Sequence, residues 1–226
     1  LHRNENPAIT REVDHYGRPH SPETGSLKSK SPLAGKKTHF HLIPETRNPA
    51  KSQSFSQLVR TYYLQMNSPD DLVPVAPRAG LCLRIIDPPN GAVNQRFYRE
   101  VGKEWNWNAC AAWSTRHWND FLKSNPITTV VVVLDENEIG YGELINRDGD
   151  VEILSFGLLP SSIGKGLGGP SLELVVRYSW TIGAVDHVWL HTCEQDHPRA
   201  LANYQRCGFE VYDTKNDPVP ETRPGT

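Results

Sequence analysis

The sequence predicts an α/β (α+β) domain: a mixed, mostly antiparallel sheet with helices on both faces. Three observations carry this. Short apolar runs separated by tight-turn residues come first, the pattern of antiparallel hairpins. A later run, Val151 to Leu158, is followed by a helical pattern and then another apolar run, the pattern of one β-α-β unit. A last helix and strand close the order, and no internal repeat is visible.

Tyr62 to Met66 reads as a short strand, and Leu81 to Asp87 alternates well enough for another. Pro88-Pro89-Asn90 opens a helix of about Ala92 to Gly102. Ser114 caps a second helix, with Trp113 before it and Trp118, Phe121 and Leu122 on one face. Thr128 to Leu134 and Ile139 to Ile145 form a hairpin turned at Asp135-Glu136-Asn137. A tight turn at Asn146 to Asp150 leads into the strand Val151 to Leu158. Leu172, Leu174, Val175, Val176 and Trp180 mark a helix of about Leu167 to Ile182, with Gly183 beyond its end. His187 to His191 is a buried strand, Pro198 opens a helix closed by Cys207-Gly208, and Phe209 to Tyr212 is the last strand.

Composition divides the chain differently. Residues 1–60 carry ten Lys/Arg against five Asp/Glu, leaving fourteen against twenty-one for the rest. An acidic body argues against a nucleic-acid-binding domain, which normally shows a basic face. Residues 1–58 hold few large apolar side chains and many Pro, Ser, Asn and Lys, so they read as a flexible arm. Residues 59–215 form the folded domain and residues 216–226 a tail. Five of the nine histidines lie in the arm, at no metal-ligand spacing, so no metal is expected. No stretch reaches the roughly 20 apolar residues that cross a bilayer, so no membrane partner is expected. Four scattered cysteines without CxxC spacing read as free thiols of a reducing compartment, which makes the cytoplasm the expected location.

The sharpest local signal is Gly164-Lys165-Gly166-Leu167-Gly168-Gly169, four glycines in six positions between a strand and a helix. Such a junction presents backbone N–H groups at a helix N-terminus, a geometry that favours phosphate. A Walker A loop fails: Gly164-Lys165 is followed by Gly166 rather than Ser or Thr, and Leu159 stands where the first glycine belongs. The dinucleotide fingerprint GxGxxG is satisfied, with Asp186 22 residues beyond Gly164. Five residues nevertheless intervene after the strand, and too little chain remains for a doubly wound sheet. A glycine-rich turn serving helix-sheet packing is the remaining plain reading.

A second segment decides among these. His197-Pro198-Arg199-Ala200 is followed by Tyr204-Gln205-Arg206-Cys207-Gly208-Phe209. Together with Leu158-Leu159-Pro160 and the window Ile163 to Gly168, it resembles the Gcn5-related N-acetyltransferase (GNAT) family over about Leu81 to Asp213. Two departures stand out: Ile163 replaces the family's usual Arg or Gln, and His197 its usual Asn. The resemblance implies the GNAT fold and transfer of an acetyl group from acetyl-CoA to a primary amine by direct attack. A non-catalytic CoA-binding module of the same fold is the alternative.

The resemblance also assigns roles. Backbone groups at Phe156, Gly157 and Leu158 would orient the pantetheine and thioester. Ile163, Gly164, Lys165, Gly166, Leu167, Gly168 and Gly169 would hold the pyrophosphate. Tyr204 matches the usual general acid, or is a helix tyrosine packing on the sheet. Glu152 and Glu143 are candidate bases if held inside apolar strands, or solvent-facing residues if not. Ser155 and His191 are further candidates near the same strands. Trp105 and Trp107 would wall the acceptor pocket and contact a cationic amine, whereas Trp113 reads as core. The expected partner is a small-molecule or peptide amine met by a monomer or homodimer.

Overall fold

The computed structural model describes residues 10–13 and 58–218. Eight strands form one sheet: β1 (Thr10–Val13), β2 (Leu58–Met66), β3 (Leu81–Ile86), β4 (Ile127–Leu134), β5 (Asn137–Arg147), β6 (Asp150–Leu158), β7 (His187–Cys193) and β8 (Glu210–Pro218). Four helices accompany them: α1 (Gly91–Gly102), α2 (Thr115–Ser124), α3 (Gly168–Ser179) and α4 (Ala200–Arg206). The strand order is β1-β3-β4-β5-β6-β7-β2-β8. Every pairing is antiparallel except β6 with β7, the two strands joined through α3. The predicted class, a mixed and mostly antiparallel sheet with helices, is the one observed.

Local chemistry explains the elements. The Asn90 side chain accepts from the Ala92 N–H at 3.0 Å and starts α1, whose Asn94, Phe97, Tyr98 and Val101 are buried at helical spacing. Ser114 Oγ accepts from the His117 N–H and starts α2, which buries Trp118 and Leu122. In β4, Val130 and Val132 pack into one core with residues of α3. Val131 and Val133 pack into another with Phe97, Trp118 and Tyr141. Both faces of the sheet are covered at that strand, which is why its sequence is continuously apolar rather than alternating.

Four elements differ from expectation. Strand β2 starts at Leu58 and lies inside the sheet, antiparallel to both β7 and β8. Backbone partners on two sides extend it past the point where its apolar pattern fades. Residues Thr10–Val13 pair with the edge of β3, although the arm shows no strand period. An edge strand needs backbone pairing more than a buried face. Helix α3 ends at Ser179, not Ile182, because the Trp180 N–H and the Thr181 hydroxyl both bond back to carbonyls of its last turn. Strand β8 runs on to Pro218 because β2 pairs with it throughout. The other residues of the arm, with its five histidines, and the tail beyond Pro218 lie outside the described residues.

Candidate active site

The parallel β6–β7 pairing stops at Ile153 and Leu190. At that point β6 carries a bulge: Glu143 of β5 opposes Ser155 while Leu144 opposes Ile153, leaving Leu154 extra. Beyond it the two strands diverge, and a cavity of about 1390 Å³ fills the wedge between them. This is the position where α/β sheets bind ligands, at the carboxyl ends of parallel strands. An ordinary small-molecule pocket measures about 300–1,000 Å³. The wedge is therefore large enough for two substrates.

One end of the wedge is built from backbone. Phe156, Gly157 and Leu158 line it, as do Ile163, Gly164, Gly166, Leu167, Gly168 and Gly169. Gly164 and Gly166 have φ of +80° and +74°, and a Cβ added at either would meet nothing within 4 Å. These glycines are required by the conformation of the loop, and they leave the space in front of it open. Leu167 is buried and anchors the loop in the core beside α3. Among the described residues no side chain caps α3, and Pro170 supplies no N–H, so Gly168 and Gly169 present the amides of its first turn. Ile163 is in the lining, so no charged side chain occupies that position. Lys165 is exposed and is not part of the lining.

The other end is built from side chains. Glu143 and Glu152 are each 3% exposed, which settles their orientation: neither faces solvent. Burial raises both carboxyl groups to about pH 7. Asn94 Nδ2 donates to Glu143 Oε1 at 2.7 Å and to Thr129 Oγ1 at 2.9 Å, fixing the carboxylate. Arg147 Nη1 lies 3.3 Å from Glu152 Oε2, and His191 Nδ1 lies 3.8 Å from its other oxygen. Arg147 offsets part of the burial effect on Glu152.

Tyr204, on α4, also lines the cavity, half-buried and edge-on to Phe209. Burial first, and the Asp196 charge second, push its phenol well above the ordinary tyrosine range. It is therefore fully protonated at neutral pH and can donate. Trp107 Nε1 donates to Asp196 Oδ1 at 3.2 Å, and the Trp105 ring meets His197 at 4.7 Å. These contacts tie the α1–α2 loop to the β7–α4 loop across the cavity. Trp113 is buried, stacked on His117 and packed against Trp118, so it belongs to the core.

All the assigned site residues except Lys165 therefore line one cavity. Sequence reasoning missed Asn94 and Arg147. Arg147 had a readable signal, five residues from Glu152 across a tight turn. Asp196 also accepts from Thr192 Oγ1 and the Cys193 N–H, which makes it a loop-ordering group. Among the described residues, no three His, Cys, Asp or Glu side chains gather as a metal site. None of the four cysteines is joined in a disulfide.

The sequence profile of the Acetyltransferase (GNAT) family matches residues 93–209. The chain belongs to the GNAT family. Solved GNAT structures share its fold. A GCN5-related N-acetyltransferase from Sphaerobacter thermophilus superposes with a TM-score of 0.55 at 14% identity, covering 74% of this chain and 54% of that one. One from Kribbella flavida gives 0.50 at 20% identity, covering 70% and 56%. A GNAT-family acetyltransferase from Colwellia psychrerythraea gives 0.51 at 13% identity, covering 70% and 54%. The chain thus spans little more than half the length of these structures. No curated protein sequence matches it. Among the described residues, no helix is long and apolar enough to cross a membrane.

Proposed function

We propose that this GNAT domain transfers an acetyl group from acetyl-CoA to a primary amine by direct attack, in the cytoplasm. The observation that carries the reading is a single cavity joining a backbone cradle at α3 to two buried carboxylates titrating near neutrality.

The residues fit the donor. The amides of Gly168 and Gly169, with the positive end of the α3 dipole, suit a pyrophosphate, and the open loop at Gly164 and Gly166 lets it approach. Among the described residues, the β7-facing edge of β6 has no strand partner from Leu154 onward, so its backbone is available to an extended amide-bearing arm and a thioester carbonyl.

An amine arrives as an ammonium ion. Glu152 or Glu143 takes one proton, which exposes the nitrogen lone pair. As that pair forms the C–N bond to the thioester carbon, the C–S bond breaks and its electrons leave on sulfur. The Tyr204 hydroxyl protonates the departing thiolate and recovers a proton from solvent. The nitrogen loses its second proton, giving the neutral amide, free thiol and one net proton. No covalent enzyme intermediate is needed, because the cavity holds both substrates together.

Acetyl-CoA binding by calorimetry and thiol release with a panel of primary amines test the reading. Saturable binding with amine-dependent thiol release supports it. Binding without turnover by any amine would leave the non-catalytic CoA-binding module, and absence of binding would reduce the claim to fold alone.

A further inference from the structure

One side chain spans the wedge that opens between β6 and β7. Trp107 packs over the end of α1, where a Cβ added at Gly102 would meet the Trp107 Cβ at 2.3 Å. Its indole reaches β6: a Cβ added at Gly157 would lie 3.8 Å from Cη2. From the same ring, Nε1 donates to Asp196 Oδ1 at 3.2 Å, in the loop that leaves β7. The indole is thus a crossbar from the β6 backbone, where the thioester would lie, to the β7–α4 loop.

Asp196 holds the far end of that crossbar from two sides. Its other oxygen, Oδ2, accepts from Thr192 Oγ1 at 2.7 Å and from the Cys193 N–H at 3.0 Å. Thr192 is 2% exposed, so this half of the carboxylate is tied to the buried part of β7. Three neutral donors therefore converge on two oxygens. A carboxylate accepts on both sides, whereas an asparagine would turn its NH2 toward one of those donors and lose that arm. Hydrogen bonds to an ionised acceptor are also the stronger kind. The distal end of the Trp107 loop is fixed separately by α1: Gln95 Nε2 donates to the Trp113 carbonyl at 2.6 Å, and Arg99 Nε to the Ala111 carbonyl at 2.9 Å. The part around Trp107 reaches across the cleft to Asp196.

We propose that Asp196 is a positioning residue of the transfer, an inference that rests on the acetyltransferase reading. It holds the Trp107 crossbar at the β6–β7 splay and so fixes the wall along which the amine meets the thioester carbonyl. Neither residue belongs to the glycine loop at α3, so the donor's phosphates are held without them. Asp196 acts through Trp107 and exchanges no proton with either substrate.

The test compares the full chain with Trp107→Phe, Asp196→Asn and the double variant. Trp107→Phe removes the indole donor without changing any charge. Asp196→Asn removes one accepting side together with the charge that faces Tyr204. With saturating acetyl-CoA and the primary amine turned over fastest in the panel above, the amine KM should rise about tenfold in each single variant, as for loss of one charge-assisted hydrogen bond. Over the same variants kcat should fall less than about threefold, and the acetyl-CoA Kd from calorimetry should stay within about twofold. The double variant should be no worse than the worse single one, because both remove the same bond. Amide hydrogen exchange should quicken over residues 103–110 in both single variants and stay unchanged over 111–113, which α1 holds. Additive losses, or an amine KM unmoved by either variant, would overturn the inference and leave the acetyltransferase reading standing. So would a loss in Asp196→Asn far beyond that in Trp107→Phe, which would give the carboxylate a direct part through its charge. Acetyl-CoA affinity falling in step with the amine KM would also overturn it, by showing general damage to the cleft. No amine acetylated by the intact protein would overturn both readings together.

Discussion

The two ends of the cleft are made of different material. At the α3 end the lining groups come from the backbone of the Gly164 to Gly169 loop, held by left-handed φ angles at Gly164 and Gly166 and by a helix start. At the opposite end they come from side chains of five separate elements: Glu143 on β5, Glu152 on β6, Trp105 and Trp107 after α1, His191 on β7 and Phe121 on α2. A backbone site is contiguous, so it appears in the sequence as a motif and tolerates few changes. A side-chain site is assembled across the fold and can be altered one residue at a time. The first kind suits a donor whose phosphates never vary. The second suits an acceptor that differs from one enzyme to the next.

The side-chain end should break most sharply. Replacing the base by its amide removes proton acceptance at unchanged shape, so kcat should fall by about 10²–10⁴-fold for either Glu152→Gln or Glu143→Gln, whichever is the base. The pH profile separates them. With a carboxyl titrating at about 7, kcat/KM in the intact protein should rise with pH through neutrality. Only substitution of the base should flatten that limb. If both variants keep it, neither carboxylate is the base.

The backbone end should break by obstruction. In Gly166→Trp the left-handed φ becomes strained, but no neighbour clashes with the new Cβ, so the fold should survive. The indole then stands in the cleft. Loss of two charge-assisted backbone hydrogen bonds, at about 1.5–3 kcal/mol each, corresponds to at least about 100-fold weaker acetyl-CoA binding. Calorimetry reads this directly, with circular dichroism as the folding control. Unchanged affinity in the folded variant would remove the cradle.

A smaller effect separates the two carboxylates by stability. Glu143 binds its proton more tightly folded than unfolded, since burial raises it from the ordinary 4.5 to about 7. Its contribution is most favourable below about pH 4.5 and is lost as pH rises toward 7, at a cost of about 3 kcal/mol. Glu143→Gln keeps the acceptor oxygen for Asn94 and removes that cost. Its Tm should therefore rise by several degrees relative to the parent above pH 7, and the gap should close near pH 4.5. Glu152→Gln should show no such gain, because Arg147 would lose its charged partner. A Tm for Glu143→Gln that is lower at pH 8 would show that the carboxylate is stabilising and not strained.

What the sequence disclosed follows the same division. Short-range chemistry was legible: Asn90 and Ser114 cap their helices, Asp135 and Glu136 adopt the left-handed turn, and the glycine loop precedes α3. Long-range pairing was not. Nothing in Leu58 to Met66 announces that it inserts between β7 and β8, because a strand's neighbours are chosen by the whole sheet. In the site, Tyr204 and the glycines were found through motifs, and Glu143 and Glu152 through their place in apolar strands. Asn94 escaped because an Asn inside a helix looks ordinary until the fold brings Glu143 to it. Lys165 shows the converse. It sits inside the motif, yet it is exposed and outside the lining, so adjacency in sequence did not place its side chain in the cleft.

Ile163 tests how far the backbone end suffices alone. It lines the cavity where the related pattern carries Arg or Gln, so a cradle here would have to work without that polar side chain. If the amides and helix dipole supply most of the phosphate attraction, Ile163→Arg adds only a solvent-facing charge contact worth about 0.2–1 kcal/mol. Acetyl-CoA should then bind about two- to fivefold tighter at low salt, and the gain should shrink above about 0.15 M salt as screening takes hold. A tightening of a hundredfold would mean the opposite: a cradle left incomplete by the isoleucine, with the donor held chiefly by its pantetheine arm against β6. The salt dependence distinguishes the cases, because a backbone-held phosphate at a helix start is screened less than an exposed guanidinium.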